Sequence, residues 1–237
     1  MDSDTNTNTK TYKNILENNI FVFWTGNNKM SEVRSCCLEN IKKKSCCNVI
    51  LVTPDNLKDY ILPEVPLHEA YEYLHLTHKA DYLRTYFMNF HGGGYCDIKR
   101  VKCNWVPYFD QLLESDENIY ICGYQEFEGG VARNVPRHAH TELIGNCAYI
   151  CKPMTPLTQE WYNDMITLLD TKLIALCNYH TNLPSTLSND ELAKGSKNYP
   201  LRWTQMLGEI FHKLCYDKYK DNLLRTLPRL RFFDGYR

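Results

Sequence analysis

Several features are scarce or missing in this 237-residue chain, and each absence narrows its possible function. No apolar run approaches the ~20 residues that a membrane-spanning helix requires, so we expect no transmembrane segment. A formal net charge of −1 gives no electrostatic reason to expect nucleic acid as a partner. The N-terminal stretch MDSDTNTNTK is polar and acidic, unlike a secretory signal, and so predicts a cytoplasmic protein.

Cysteine is abundant, with 11 residues, but the spacing that is typical of metal sites is missing. Cys36–Cys37 and Cys46–Cys47 are adjacent doublets rather than C-x-x-C pairs. Cys122, Cys147 and Cys151 fall within predicted strands, where a thiol behaves as a small apolar side chain. We therefore expect reduced, mostly buried thiols and no zinc site.

Length and composition indicate one globular domain. Hydrophobic residues make up 43% of the chain and charged residues 23%, which is an ordinary globular balance. We expect residues 1–11 to form a disordered tail and residues 12–237 to form a single α/β domain.

The first third of that domain has the pattern of a parallel α/β sheet. Ile20–Trp24 is an apolar run typical of a buried strand, and Asn48–Val52 predicts a second strand. Between them, Ser31 can cap a helix that runs to about Lys44. Ligands of such sheets collect beyond the carboxyl ends of the strands, where Trp24 lies.

The central stretch, His78–Lys102, combines a helix, a glycine turn and an acidic residue. Apolar residues recur at helical spacing and predict one core-facing stripe, formed by Ala80, Leu83, Phe87 and Phe90. Asp81 and Arg84 are three residues apart, so they are neighbours on an adjoining flank of that helix. The three glycines end the helix, and Asp97 follows a short strand at the sheet edge.

The runs ADYLR and HGGGYCD resemble the core of nucleotide-sugar glycosyltransferases of the GT-A fold. This group includes the yeast mannosyltransferase-like DXD proteins, the bacterial capsular polysaccharide synthesis proteins and the large clostridial glucosylating toxins. Their pattern is approximately S/A-D-x-L-R, an apolar helix, then G-G-x-Y-x-D-x-D. The resemblance implies an α/β, Rossmann-like fold: a mixed, mostly parallel sheet flanked by helices, with a helical C-terminal part.

The same resemblance implies a site for a UDP- or GDP-sugar donor. In the toxin-like transferases the tryptophan at the position of Trp24 stacks on the base, and Asp81 and Arg84 are expected to contact the donor sugar or its phosphates. The full set of expected donor-binding residues is Trp24, Thr25, Gly26, Asp81, Arg84, Gly94 and Asp97.

Lys99 stands where the family pattern has its second acid. The two acids of that motif usually hold a divalent cation, Mn²⁺ or Mg²⁺, which neutralises the departing diphosphate. An ammonium cannot bind a cation, but it can supply positive charge itself. Three alternatives follow: a metal held by Asp97 and the diphosphate, metal-independent catalysis, or a binding-only relic. We take Asp97, Lys99 and Arg84 as the catalytic candidates.

The acceptor side is less clearly marked. The polar loop Glu126–Thr141 carries side chains that can hydrogen-bond sugar hydroxyls. Leu201–Tyr216 has the pattern of a long amphipathic helix. The acceptor-side candidates in these two segments are Glu126, Arg133, His140 and Trp203.

The sequence therefore predicts a glycosyltransferase that moves a sugar from a nucleotide-sugar to a glycan or polysaccharide-type acceptor. The resemblance implies retention of the anomeric configuration. Two other functions stay open: a non-catalytic nucleotide-sugar or glycan-binding module, and a sugar-phosphate transferase of the capsule-synthesis type. The oligomeric state is not indicated.

Overall fold

A computed structural model describes residues 16–131, 134–182 and 198–231 of the protein. The tail expected at residues 1–11 lies outside these ranges, as does Arg133. Within the described ranges, no helix combines the length and the apolar character that crossing a membrane requires.

A six-stranded sheet in the order β2-β1-β3-β5-β4-β6 forms the centre of the fold. Its strands are β1 Asn19–Phe23, β2 Asn48–Val52, β3 Gly93–Cys96, β4 Ile121–Gln125, β5 Ile144–Cys151 and β6 Leu223–Leu224. β1 pairs in parallel with β2 and β3, and β4 pairs in parallel with β6. β5 is antiparallel to β3 and β4. The expected mixed, mostly parallel α/β sheet is confirmed.

Five α-helices flank this sheet in the described ranges. They are α1 Glu32–Lys44, α2 Leu76–Phe90, α3 Val106–Glu114, α4 Pro156–Thr181 and α5 Gly208–Leu214. Short 3₁₀ segments lie at Leu57–Tyr60, Glu69–Tyr73, Arg137–Glu142 and Lys220–Asn222, and a π-helical turn follows α5 at Cys215–Tyr219. The predicted cap of α1 is confirmed, since the Ser31 side chain accepts a hydrogen bond from the backbone N–H of Arg34.

Two hydrophobic cores cover the two faces of the sheet. Along β1, Phe21 and Phe23 belong to one core, whereas Ile20 and Val22 belong to the other, as the alternation of side chains along a strand requires. The first core includes α2 and α4, and the second includes α1 and α3. All eleven cysteines lie in the described ranges and none is paired there.

Helix α2 is buried on more than the single stripe that its sequence pattern predicts. Phe87 packs edge-on against Phe21 of the sheet, with ring centroids 4.9 Å apart. On another face Phe90 packs against Tyr162 of α4, with centroids 4.9 Å apart. Because α2 lies between the sheet and α4, both flanks are covered, and the polar flank with Asp81 and Arg84 is buried as well.

The prediction of a long helix at Leu201–Tyr216 is wrong for the N-terminal half of that segment. The α-helix begins only at Gly208, and Trp203 is 55% exposed rather than part of a core-facing stripe. Side chains bind the backbone or one another locally: the N–H of Arg202 donates to Gln205, and the Thr204 hydroxyl donates to Glu209. Such local hydrogen bonds compete with helix formation.

Candidate active site

The candidate site lies at one edge of the sheet, where β1 and β3 end. Trp24 is the first residue after β1, and Asp97 is the first residue after β3. Because these two strands are parallel neighbours, both residues emerge at the same edge. β5 runs in the opposite direction and starts at this edge, where the carbonyl of Cys147 accepts a hydrogen bond from the N–H of Asp97 at 2.8 Å.

Both carboxylate oxygens of Asp97 are bonded by protein groups. Oδ1 accepts a hydrogen bond from the Tyr95 hydroxyl at 2.6 Å and lies 3.3 Å from Nη2 of Arg84. Oδ2 lies 2.6 Å from Nζ of Lys99. Burial alone would raise the pKa of Asp97, but the charges of Lys99 and Arg84 outweigh it and hold that pKa well below its usual range. Asp97 is therefore ionised at neutral pH.

The Lys99 ammonium lies directly against the Asp97 carboxylate, with Nζ 2.6 Å from Oδ2. Its side chain is 8% exposed, and Nζ also lies 3.1 Å from the Cys147 Sγ. The chain bends after β3, where the N–H of Lys99 donates to the carbonyl of Asp97 at 2.5 Å, and this bend brings the Lys99 side chain back to the Asp97 carboxylate. The replacement therefore places a positive charge where the family pattern places a negative one.

Arg84 links the helix, the strand and β5. Its Nη1 donates to the carbonyl of Asn146 at 3.1 Å, and its Nη2 lies 3.7 Å from Oδ1 of Asp81. The guanidinium also lies over the Tyr95 ring, 4.4 Å from its centroid. These contacts fix the guanidinium of Arg84 in one orientation, so it is already in place before a ligand binds.

Asp81 is the second carboxyl group of the cluster. Its side chain is only 5% exposed. The pKa of Asp81 is raised to about 6. Burial is the main cause, the Asp97 carboxylate adds to it, and the Arg84 charge opposes both. Asp81 therefore exchanges its proton in a range where an ordinary aspartate is fully ionised.

The protein groups present do not by themselves fit Mn²⁺ or Mg²⁺. A divalent cation needs several free oxygen ligands, and the two oxygens of Asp97 are already held by Tyr95, Arg84 and Lys99. In the part of the chain that the structure describes, no three His, Cys, Asp or Glu side chains form a group that could hold a metal ion.

A pocket opens at the same edge of the sheet as this cluster, at the carboxyl ends of β1 and β2. Six side chains form its apolar walls: Trp24, Val52, Pro54, Leu57, Leu67 and Leu83. Its polar lining residues are Thr25, Thr53, Tyr71, Glu72 and Lys79. The indole Nε1 of Trp24 donates to the carbonyl of Asn28 at 2.8 Å, and this bond orients the ring.

The family model for capsular polysaccharide synthesis proteins matches residues 2–128, just over half of the chain; the match includes Asp81, Arg84, Asp97, Lys99 and every residue that lines the pocket. The chain belongs to the capsular polysaccharide synthesis protein family. Among solved structures, it is similar to "PaToxG Glycosyltransferase", with 11% sequence identity and a TM-score of 0.41, over 95% of this chain and 86% of that one. No curated protein matches the chain significantly.

Packing explains one of the two glycines of this capsular family member that were expected to bind the donor. A Cβ on Gly94 would lie 3.0 Å from Ile20 Cγ1 and 3.3 Å from Phe109, inside the second core. A Cβ on Gly26 would lie 2.4 Å from the end of the exposed Asn28 side chain, which can move aside, so packing alone does not require glycine there. Thr25 is in the pocket, and its hydroxyl donates to the carbonyl of Leu76 at 2.7 Å.

Three of the acceptor-side candidates, Glu126, His140 and Trp203, lie in the described part of the chain, and each has its own hydrogen-bond partner. Glu126 is buried and accepts a hydrogen bond from its neighbour's N–H at 3.0 Å; burial raises its pKa, and the nearby charges of Arg229 and Lys99 lower it. His140 is buried and accepts a hydrogen bond from the N–H of Gly129 at 2.9 Å, which fastens the loop. The carbonyl of Trp203 instead contacts His78 of α2 at 3.4 Å.

Sequence reasoning did not assign Tyr95, Asn146, Cys147 or Lys79 to the site. Asn146 and Cys147 come from β5, 62 residues after Arg84 and 48 residues after Lys99, so no spacing rule connects them. Lys79 lies in the pocket although it is outside the predicted apolar stripe. Its position directly before the Ala80-Asp81 motif was the one available signal.

Proposed function

We propose that the chain is a glycosyltransferase that moves a sugar from a nucleotide-sugar donor to a glycan or polysaccharide-type acceptor. The observation that carries this proposal is the Arg84–Asp97–Lys99 cluster at the sheet edge beside a tryptophan-lined pocket. The pocket suits a base, and the cluster suits the charged diphosphate and the reacting sugar.

Charge is what the reaction requires most. When a nucleoside diphosphate leaves, negative charge builds on its phosphates while positive charge builds on the anomeric carbon. Two cations, Arg84 and Lys99, flank the Asp97 carboxylate, and Asp81 next to Arg84 balances their charge when it is ionised. The guanidinium can grip two phosphate oxygens at once, and the ammonium acts as a compact point charge.

The proposed reaction needs no divalent cation. Lys99 would stabilise the leaving diphosphate directly, by shifting from Asp97 toward a phosphate oxygen. Asp97 would then accept a hydrogen bond from a hydroxyl of the donor, as would the carboxyl group of Asp81. Support comes from the engagement of both Asp97 oxygens by protein donors. Retention of the anomeric configuration is part of the proposal and rests on the resemblance of the ADYLR and HGGGYCD runs.

The decisive experiment measures donor breakdown and transfer. The purified chain is incubated with UDP- and GDP-sugars, with and without oligosaccharide acceptors, and the release of nucleoside diphosphate is followed. We expect slow donor hydrolysis alone and faster release with a suitable acceptor. Nucleotide binding without any breakdown would favour a binding module, and release of a nucleoside monophosphate would identify a sugar-phosphate transferase.

A further inference from the structure

The groups in this pocket that can select one base over another are its polar lining residues, Thr25, Thr53, Tyr71, Glu72 and Lys79. Stacking on Trp24 would accept every base, since each has an aromatic face. The Thr25 hydroxyl donates its proton to the carbonyl of Leu76, so it is no longer available as a donor. The Tyr71 ring is buried at 6% exposure. Selectivity in an apolar pocket depends on such sparse polar groups.

Lys79 is the cationic side chain among the residues that line this pocket. It projects from the first turns of α2, and its Nζ lies 5.1 Å from the centroid of the Tyr71 ring, which holds the ammonium in a cation–π contact. Burial lowers the pKa of Lys79, and the carboxylate of Glu72, another lining residue, raises it again. A partly desolvated ammonium gains more from each hydrogen bond than one in water.

An ammonium has three donors and no acceptor. Bases differ in the exocyclic group that they present: guanine O6 and the O4 shared by thymine and uracil accept hydrogen bonds, whereas the amino groups of adenine and cytosine donate them. A base that stacks on Trp24 and turns its exocyclic group toward Lys79 would therefore be bound more tightly when that group is a carbonyl. An amino group would face the ammonium donor to donor.

We propose that Lys79 is a specificity-determining residue that selects nucleotide donors with a keto base, uracil or guanine, against those with an amino base, cytosine or adenine. This inference rests on the proposed function, because it assumes that the pocket holds the base of the donor. Beyond the proposed function, it names Lys79 as the residue that contacts the base and the exocyclic oxygen of the base as the atom that Lys79 binds.

The test uses two matched pairs of nucleotides, UDP with CDP and GDP with ADP, and measures their affinity for the full chain by calorimetry. Wild type should bind the keto member of at least one pair about tenfold more tightly, or better. The pair that shows the difference identifies the base as uracil or guanine. In Lys79→Met this ratio should fall toward one, mainly because the keto nucleotide binds more weakly.

Two further variants separate selection from structural effects. Lys79→Arg keeps a donor-only cation and should retain most of the preference. Lys43→Met removes an exposed lysine from the last turn of α1 and should leave all four affinities unchanged. Thermal melting verifies that each variant is folded before its affinity is compared.

Either of two results would overturn the inference alone: equal affinities within both pairs in wild type, or an unchanged ratio in folded Lys79→Met. Both leave the proposed function standing, since nucleotides still bind. If none of the four nucleotides binds, the inference and the proposed function fall together.

Discussion

Lys99 Nζ lies 2.6 Å from Asp97 Oδ2, so the residue that replaces the second acid of the family pattern forms an ion pair with the first. The pair is partly shielded, with side-chain exposures of 8% and 16%. A surface ion pair of this kind would contribute little, but a shielded one interacts through a lower dielectric. Lys99 in place of the second acid thus makes the site less negative, and its ammonium binds the one acid that remains, Asp97.

The first prediction concerns the metal. If Lys99 supplies the charge that a cation normally brings, turnover should persist in excess EDTA. Lys99→Ala should lower turnover by about a hundredfold or more, which is typical for the loss of one preorganised donor at a developing charge. Lys99→Asp rebuilds the acid pair, and any activity that it recovers should require Mn²⁺.

Exposed Lys102 provides the matched control. Lys102→Ala removes a nearby lysine outside the cluster and should leave turnover unchanged. Wild-type activity that disappears in chelator and returns with Mn²⁺ or Mg²⁺ would refute metal independence. Full activity in Lys99→Ala would show that the ammonium plays no part.

The second prediction concerns Trp24. Trp24→Ala should weaken nucleoside diphosphate binding by roughly 1–3 kcal/mol because one stacking face is lost. Trp24→Phe keeps an aromatic face and should retain most of the affinity, although it also loses the hydrogen bond to Asn28. Calorimetry on folded variants measures both. Unchanged affinity in Trp24→Ala would mean that the base binds elsewhere.

The third prediction concerns Arg84, which the structure shows to be both buried and multiply bonded. Arg84→Lys keeps the charge but cannot maintain the contacts to Asn146, Asp97 and Asp81 together. We expect the free energy of unfolding to fall by about 1.5–3 kcal/mol, the usual contribution of a hydrogen bond to a charged group. Transfer per folded molecule should fall as well.

Urea denaturation and donor turnover, measured on the same preparations, test this prediction. Arg137→Lys is the control, since the Arg137 side chain is 75% exposed and pairs with Glu128 at the surface. It should change neither stability nor turnover. A stability loss in Arg84→Lys with normal turnover per folded molecule would make Arg84 purely structural.

The fourth prediction is a pH dependence of stability caused by Asp81. Its pKa is raised from 3.8 to about 6 by burial, so between these values the folded state keeps a proton that the unfolded state has released. The stabilisation is fully present below about pH 4 and is lost as pH rises through 6. In Asp81→Asn the residue cannot titrate, so the variant should not lose this stability as pH rises through 6.

The measurement is the difference in unfolding free energy between Asp81→Asn and wild type from pH 4 to 7. This difference should shift in favour of the variant as pH rises, by an amount on the order of 3 kcal/mol for two pK units. Using a difference removes the contributions of other groups, such as buried His78 and His212, that both proteins share. A flat curve for the difference between Asp81→Asn and wild type would contradict the assignment.

Much of the fold could be predicted because it depends on local signals. The apolar run of β1, the Ser31 cap of α1 and the glycine turn before β3 are set by residues within a few positions of one another. The helix predicted at Leu201–Tyr216 failed for the converse reason. The apolar residues recur at helical spacing, but the backbone N–H of Arg202 and the Thr204 hydroxyl bind nearby side chains, and the α-helix begins only at Gly208.

The sequence by itself determined which chemistry is available: an aspartate and a lysine two residues apart after a strand, an aspartate and an arginine one helical turn apart, and a tryptophan at a strand end. Only the tertiary structure decided how these groups are used. Burial between sheet and helices raises the pKa of Asp81, and the antiparallel entry of β5 brings Asn146 to Arg84. These effects depend on dielectric and on contacts between distant segments, which no local pattern encodes.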